Sequence, residues 1–340
     1  MSSINFEIER LLRDEFTKRQ TNRLQKIESE RMLEQRLGVS RQRIRTVVNR
    51  LISEGLLVKQ EGKGTYIAPL VKNRFLNLIC SPDIKFNDPF YNNLLVELTN
   101  FAAKENVNII PLNMETYENG AIDSPILMVG RFAEEDLCAL KKVFTRMVSF
   151  ENYQNHDDFS QIYFDHYRIG YNAAKVLSEY GHKKVIHLTG VNKYTSSSLR
   201  CDGFLKCARK QNMSCRVVSD RMNFQGGYNK GRLIMNLIED QGYTAVFVVN
   251  DWMAVGLIQY MKENGLKIPE QLSVISVDNI SLAGQITPGI TTYSLDMKLM
   301  VAELFSLLND LSTGDFENNS VNKRVQLAPV LIARESLRFL

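Results

Sequence analysis

Cysteine and histidine are scarce, at five and four in 340 residues. Cys80, Cys138, Cys201, Cys207 and Cys215 form no Cys-x-x-Cys pair, and no histidine stands at metal-ligand spacing from them. That excludes a structural zinc site and a disulfide framework, and such thiols fit a reducing cytoplasm. Gly-x-Gly-x-x-Gly, the P-loop and the Gly-x-Ser-x-Gly elbow are also missing. The usual phosphate cradles and the esterase nucleophile are therefore not expected. His182 and His187 have no His-Glu-x-x-His context, and His182 is expected to bond the helix end at Gly181. The N-terminus has no apolar leader core, and no apolar run is long enough to span a bilayer. The expectation is a cytoplasmic protein with no metal, no cofactor and no membrane partner.

What charge there is lies unevenly. Residues 1–74 hold 16 Lys+Arg against 9 Asp+Glu, and the rest hold 26 against 29. A basic head on a mildly acidic body fits a protein that meets phosphate at one end only. Within the head, SERMLEQRLGVSR reads as a short helix, a turn at Gly38 and a second start at Ser40, a good N-cap whose hydroxyl can accept a backbone N–H. From Arg41 the apolar residues Ile44, Val47, Val48, Leu51 and Ile52 fall at spacings of three and four, which puts one stripe on a core. Arg41, Arg43, Arg45, Asn49 and Arg50 occupy the other face, and Gly55 stands where a left-handed cap would end the helix. LLVKQ-EGKG-TYIA then reads as a glycine-tipped hairpin. Helix, turn, basic helix and hairpin together make a winged helix-turn-helix.

This head resembles the DNA-binding domain of the GntR family in Ser29-Glu30-Arg31, Leu37 to Arg41, Glu54 to Leu57 and Gly62 to Tyr66. Two departures are visible: Glu28 stands where the family has proline, and the polar TKRQTNRLQK replaces its Pro-Gly turn. By this reading Arg41 and Arg45 reach base edges with Gln42 and Arg43 beside them. Ser40 starts the reading helix, Arg31 clamps the backbone, and the tip Gly62-Lys63-Gly64 meets the minor groove.

After the short polar linker at 71–74, apolar runs alternate with amphipathic helices. FLNLIC, VNIIPL, SPILMVG and VSFEN read as strands of one half, and KKVIHLTG, SCRVVSD, TAVFVVND and LSVISVDN as strands of the other. Strands alternating with helices over this length predict an α/β body of two doubly wound parallel-sheet lobes, 75–340, behind a head at 1–70. Such sheets bind ligands beyond the carboxyl ends of their strands. There stand Asp165, Tyr194, Ser196, Arg200, Asn250-Asp251 and Asp278-Asn279, with Phe90 and Tyr91 after the first strand. Carboxylates, an amide, a guanidinium and aromatic faces are the groups that hold a small polyol. Asp251 is read as an N-cap for a helix from Trp252.

The body resembles the effector domain of LacI/GalR regulators, which shares its fold with periplasmic sugar-binding proteins. The matching stretches include DPFYNNLL, FDHYRIGYNAAKVLSEYGHKKVIHLTG, LRCDGF, AVFVVNDWMAVG and GLKIPEQLSVISVDN. The resemblance implies that Phe90, Tyr91, Asp165, Tyr194, Ser196, Arg200, Asn250 and Asp278 face an effector, and that the body forms a homodimer. One departure is a short stretch between Leu112 and Ser124, where the family fits a helix. GntR-type head and LacI-type body together are similar to arabinose-repressor-type regulators. The expected function is a DNA-binding repressor of a carbohydrate-utilisation operon, controlled by a pentose, 6-deoxyhexose or phosphorylated sugar. The alternative is a sugar- or nucleotide-acting enzyme on the same fold.

Overall fold

The computed structural model describes residues 3–21, 24–54, 56–60, 62–68, 74–84, 87–113, 124–191, 195–312 and 322–340. The chain divides into two compact units, Met1–Arg74 and Phe75–Leu340. Gly55, residues 71–73 of the linker, Tyr194 and most of the stretch between Leu112 and Ser124 lie outside the described residues.

The first unit runs α1 (Ser3–Arg19), β1 (Gln25–Lys26), α2 (Glu30–Leu37), α3 (Arg41–Ser53), β2 (Leu57–Gln60) and β3 (Gly64–Ile67). Ile44, Val47, Val48 and Leu51 of α3 are buried against Ile8, Leu12 and Phe16 of α1 and Leu33 of α2, with Ile52 packed at the edge. The predicted stripe is therefore the core of this unit. Gly38 ends α2 in the left-handed conformation, with φ at 66°, as a glycine turn requires. Ser29 caps α2, accepting from Met32 N at 3.3 Å. Ser40 holds the corresponding place before α3 in extended backbone, but its hydroxyl accepts no capping bond. β2 and β3 pair as the predicted antiparallel hairpin. β1 adds a third strand, with Gln25 opposite Ile67 and Lys26 opposite Tyr66.

The second unit contains two six-stranded sheets. In chain order it runs β4 (Arg74–Cys80), α4 (Pro89–Lys104), β5 (Val107–Leu112), β6 (Ile126–Val129), α5 (Glu134–Val143), β7 (Met147–Ser149) and β8 (Ser160–Phe164). α6 (His166–Glu179), β9 (Lys184–Gly190), α7 (Thr195–Lys210), β10 (Ser214–Asp220), α8 (Phe224–Gln241), β11 (Ala245–Val248), α9 (Asp251–Glu263), β12 (Ser273–Asp278) and β13 (Thr291–Ser294) follow. The chain closes with α10 (Met297–Ser312), β14 (Arg324–Leu327) and β15 (Val330–Ile332). The sheets have orders β5-β4-β6-β7-β8-β14 and β10-β9-β11-β12-β13-β15. In the first sheet β4 with β6, β6 with β7, β7 with β8 and β8 with β14 pair parallel; in the second β10 with β9, β9 with β11, β11 with β12 and β12 with β13 pair parallel, and β13 with β15 antiparallel. The chain thus passes between the sheets three times: after β8, after β13, and across Ala328-Pro329 between β14 and β15.

Each sheet is covered on both faces, so its inner strands read as unbroken apolar runs. Leu127 and Val129 of β6 join one core with Leu94 and Leu98 of α4, while Ile126 and Met128 join another with Leu137 and Leu140 of α5. In the second sheet Val246 and Val248 pack toward α8 and α9, and Ala245 and Phe247 toward α6 and α7. Helix α6 meets α7 with backbones almost touching. A Cβ on Gly170 would sit 1.8 Å from the Arg200 carbonyl oxygen, and one on Gly203 2.0 Å from that of Tyr167.

Candidate functional site

The carboxyl ends of the strands of both sheets open into one cavity of about 280 Å³ within the second unit, near the lower end of ligand-site volumes. Phe90 and Tyr91 reach it from the first turn of α4. That helix begins earlier than its apolar pattern indicates, because Pro89 occupies its first position and Asp88 caps it, accepting from Phe90 N at 2.9 Å. Their rings meet edge to face, with centroids 5.1 Å apart. Ser196, Arg200, Asn250 and Asp278 line the other wall.

Arg200 is 3% exposed. Its Nη1 donates to the Val249 carbonyl and its Nε to His166 Nδ1 at 3.3 Å. Nη2 stands 3.7 Å from Asp278 Oδ1, an ion pair too long for a hydrogen bond, so its protons remain available to a ligand. Burial lowers the Arg200 pKa, opposed by Asp278 and then Glu151. Burial likewise pushes Asp278 well above the ordinary carboxylate range, with Arg200 pulling it back. Asp278 has φ of 114° and Asn279 of 59°, a strained turn at the end of β12 that aims the carboxylate at the cavity. Burial and then Arg200 hold His166 well below its usual pKa, so it is neutral. Since Nδ1 accepts from Arg200, its proton sits on Nε2.

Two expected residues have other work. Asp165 does not line the cavity: its carboxylate caps α6, accepting from Arg168 N at 2.9 Å, and takes a second bond from Gln326 Nε2 at 2.8 Å. Asp251 holds the backbone, but not as a cap. Asn250 is the cap, accepting from Met253 N at 2.9 Å and donating to Met222 O at 3.2 Å. Asp251 opens α9 fully buried and accepts from Ser276 Oγ, Thr292 Oγ1 at 2.7 Å and Ile280 N at 2.9 Å. Burial pushes its pKa up to about 6. His182 bonds the helix end as expected, but through its backbone N–H, which donates to the Leu177 carbonyl at 3.0 Å; its ring Nδ1 pairs instead with Thr244 Oγ1 at 2.9 Å.

Arg131, Glu151, His166, Arg221, Asn223 and Trp252 also line the cavity. The strand-end rule reaches three of them, since Arg131 follows ILMVG, Glu151 follows VSF and Arg221 follows SCRVVSD.

On the head, Arg41 and Arg45 project from the first turns of α3 with 65% of each side chain exposed. Half-buried Glu30 stands 3.6 Å from Arg41 and 3.9 Å from Arg45, ion pairs too long for hydrogen bonds and so a loose hold on either guanidinium. Arg31 and Gln42 are exposed, and Arg43 is half-buried. Lys63 is exposed between Gly62, with φ of 70°, and Gly64, with φ of 119°. Arg50 belongs to a different surface: it binds Glu9 of α1 at 3.0 Å and Glu54 at 3.2 Å, locking α3 to α1.

Residues 6–67 match the model of the bacterial regulatory proteins of the gntR family, and residues 174–337 that of the periplasmic binding protein-like domain. The chain joins a GntR-type DNA-binding domain to a periplasmic-binding-protein-like body. It is similar to the HTH-type transcriptional repressor PurR of Pectobacterium carotovorum subsp. carotovorum, 31% identical over 221 residues. That alignment covers 64% of this chain and 63% of the relative, so the chain spans less than two thirds of that relative's length. It is also similar to the HTH-type transcriptional regulator GanR of Bacillus subtilis, 26% identical over 258 residues, 71% of this chain and 76% of that one. A solved structure of a LacI family transcriptional regulator from Enterococcus faecium with bound ribose superposes with a TM-score of 0.65. It covers 78% of this chain and 99% of that one at 21% identity, which establishes the fold of the periplasmic-binding-protein-like body. These relatives and neighbours are transcriptional regulators, not enzymes.

Proposed function

We propose that the protein is a sequence-specific, cytoplasmic DNA-binding transcription regulator. It acts as a repressor of a carbohydrate-utilisation operon under control of a small sugar bound between the lobes of the body. The observation that carries this reading is the cavity, where Arg200 and Asp278 of one wall face Phe90 and Tyr91 of the other. Those groups match a polyol's hydroxyl edge and its apolar face. A ligand bridging both walls favours the closed lobes by its differential affinity for them.

On the DNA side, Arg41 and Arg45 read base edges, with Ser40, Gln42 and Arg43 at the same helix end, while Arg31 and the tip Gly62-Lys63-Gly64 hold phosphate and groove. One winged helix covers too few base pairs for genomic specificity, so a homodimer binding a pseudo-palindrome follows. Selection of binding sites from random DNA, followed by titration of monosaccharides into the complex, tests the proposal. A two-fold-related site whose affinity shifts about tenfold or more with one sugar supports it. Binding without sequence preference, or indifference to every sugar, overturns it.

A further inference from the structure

We propose that Arg334, in the segment that follows β15, is a positioning residue for the cavity: it clamps the turn Asp278–Asn279 and so fixes where the Asp278 carboxylate meets the effector. This rests on the effector reading above, and it puts control of one cavity wall in a side chain outside the lining.

Asp278 needs such a hold. Its φ of 114° lies where side chains are rarely found. The other non-glycine residues of positive φ among those described, Asn106, Asn212 and Asn279, are asparagines, which tolerate it. A conformation of this kind persists only where its surroundings over-determine it. The Asp278 carboxylate accepts no hydrogen bond among the described residues and meets Arg200 only at 3.7 Å, so the backbone decides its place. Three contacts grip the turn from beyond it. Asp251 accepts from Ile280 N at 2.9 Å, Ser294 Oγ accepts from Asn279 Nδ2 at 3.3 Å, and Arg334 Nη2 donates to Asn279 Oδ1 at 2.6 Å. The last is the shortest of the three and has the cationic donor.

Arg334 is itself held. Its N–H donates to Thr291 Oγ1 at 3.0 Å, its carbonyl accepts from the same hydroxyl at 3.1 Å, and its Nη1 donates to the Ile290 carbonyl at 2.7 Å. Two residues on, buried Ser336 accepts from Thr291 N at 2.8 Å and donates to the Val274 carbonyl at 2.6 Å. The base of the clamp is therefore welded to the amino ends of β12 and β13, while the guanidinium reaches the residue just past the carboxyl end of β12. A planar fork with one arm on Ile290 and the other on Asn279 is a geometry that an ammonium cannot reproduce. None of these contacts passes through a ligand, so the turn is set before an effector arrives. A wall ordered in advance binds more tightly, because less freedom is lost on binding.

The test titrates D-ribose, D-xylose, L-arabinose and L-fucose into the full-length protein, followed by Trp252 fluorescence and calorimetry. For the sugar that binds, Arg334→Gln is expected to weaken affinity about tenfold, the lower end of what one charge-assisted hydrogen bond is worth. Arg334→Lys should recover only part of that loss. Asn279→Gly keeps the left-handed backbone but removes the clamp's partner, so it should weaken binding to a similar degree. Adding Arg334→Gln to it should then change affinity less than about twofold. Urea unfolding of the double variant should still show a further loss, because the Ile290 carbonyl loses its donor. A merely structural arginine would lower affinity by the same factor in both backgrounds. Hydrogen exchange of the unliganded protein gives a second readout: residues 278–286 should exchange faster in Arg334→Gln than in wild type, and 273–277 at the wild-type rate. Equal sugar affinity in wild type and Arg334→Gln, additive losses in the cycle, or unchanged exchange at 278–286 would each overturn the proposal alone. If no sugar of the panel binds wild type, the effector reading itself falls, and this proposal with it.

Discussion

Replacing Arg200 by alanine probes a group that is structural as well as cavity-lining. Its side chain is 4% exposed and that of Asp278 7%. Removing the guanidinium leaves Asp278 without its counter-charge and the Val249 carbonyl without its donor. Breaking a buried ion pair by deleting one partner costs about 3–5 kcal/mol, and an orphaned carbonyl about 1–3 kcal/mol. Asp278 escapes part of the penalty by taking up a proton, which burial already favours. We therefore expect Arg200→Ala to lose about 3–4 kcal/mol at neutral pH. The sign with pH follows from the raised carboxyl pKa. The folded variant holds a proton that the unfolded chain releases, so stability falls as pH rises above the ordinary carboxylate range, and the deficit is smaller in mild acid. Adding Asp278→Asn removes the stranded charge, so the double variant is expected to be about 2 kcal/mol more stable than the sum of the single losses implies. Trp252, the one tryptophan in the chain, lines the cavity and reports urea unfolding of the body. Single and double losses that add within about 0.5 kcal/mol would refute the coupling and the reasoning with it.

Four further outcomes are expected. Arg45→Ala costs about 1–3 kcal/mol of operator affinity and blurs base preference, whereas Lys63→Ala weakens all sequences alike; an unchanged ratio of operator to scrambled DNA for Arg45→Ala would remove it from the reading face. Gly170→Ala forces α6 from α7 and loses about 2–3 kcal/mol in urea titration, with weaker effector binding because Arg200 sits on the displaced helix; a loss below about 0.5 kcal/mol means the helices part freely. Burial lowers the pKa of His187 to about 4, so the stability it confers is present above its unfolded value near 6.5 and drains as pH falls toward 4. His187→Asn, able to keep the bond to the Phe247 carbonyl, should flatten that part of the acid-unfolding curve. Sedimentation at micromolar concentration should give a dimer, and a strict monomer with and without DNA would argue against paired reading heads.

The fold was largely legible because its cues are local. The stripe from Ile44 to Leu51 became the core of the head, and runs such as ILMV and AVFV became strands covered on both faces. What stayed hidden depends on partners distant in sequence. β1 is two polar residues defined only by pairing with β3. RVQL and VLI, two residues apart, belong to different sheets, and nothing in either run announces it. The cavity shows the same division. The strand-end rule names Phe90, Tyr91, Ser196, Arg200, Asn250 and Asp278, which all line the cavity, but it could not tell that Asn250 is also a cap or that Asp165 is a cap outside the cavity. Asp165 stands in the right place along the chain, yet the first turn of α6 and Gln326 of a remote strand take its oxygens. The place of Glu151 and His166 in the cavity wall, where desolvation shifts both groups, is invisible in residue type alone.

The central claim is that occupancy of the cavity sets the grip of the head on DNA. The most direct measurement titrates monosaccharides into full-length protein bound to labelled operator, reading Trp252 fluorescence and DNA anisotropy in the same cuvette. The account predicts that one sugar moves both signals with a common midpoint, and that Arg200→Ala loses both responses together. A sugar that saturates the Trp252 signal while leaving DNA anisotropy unchanged would contradict it.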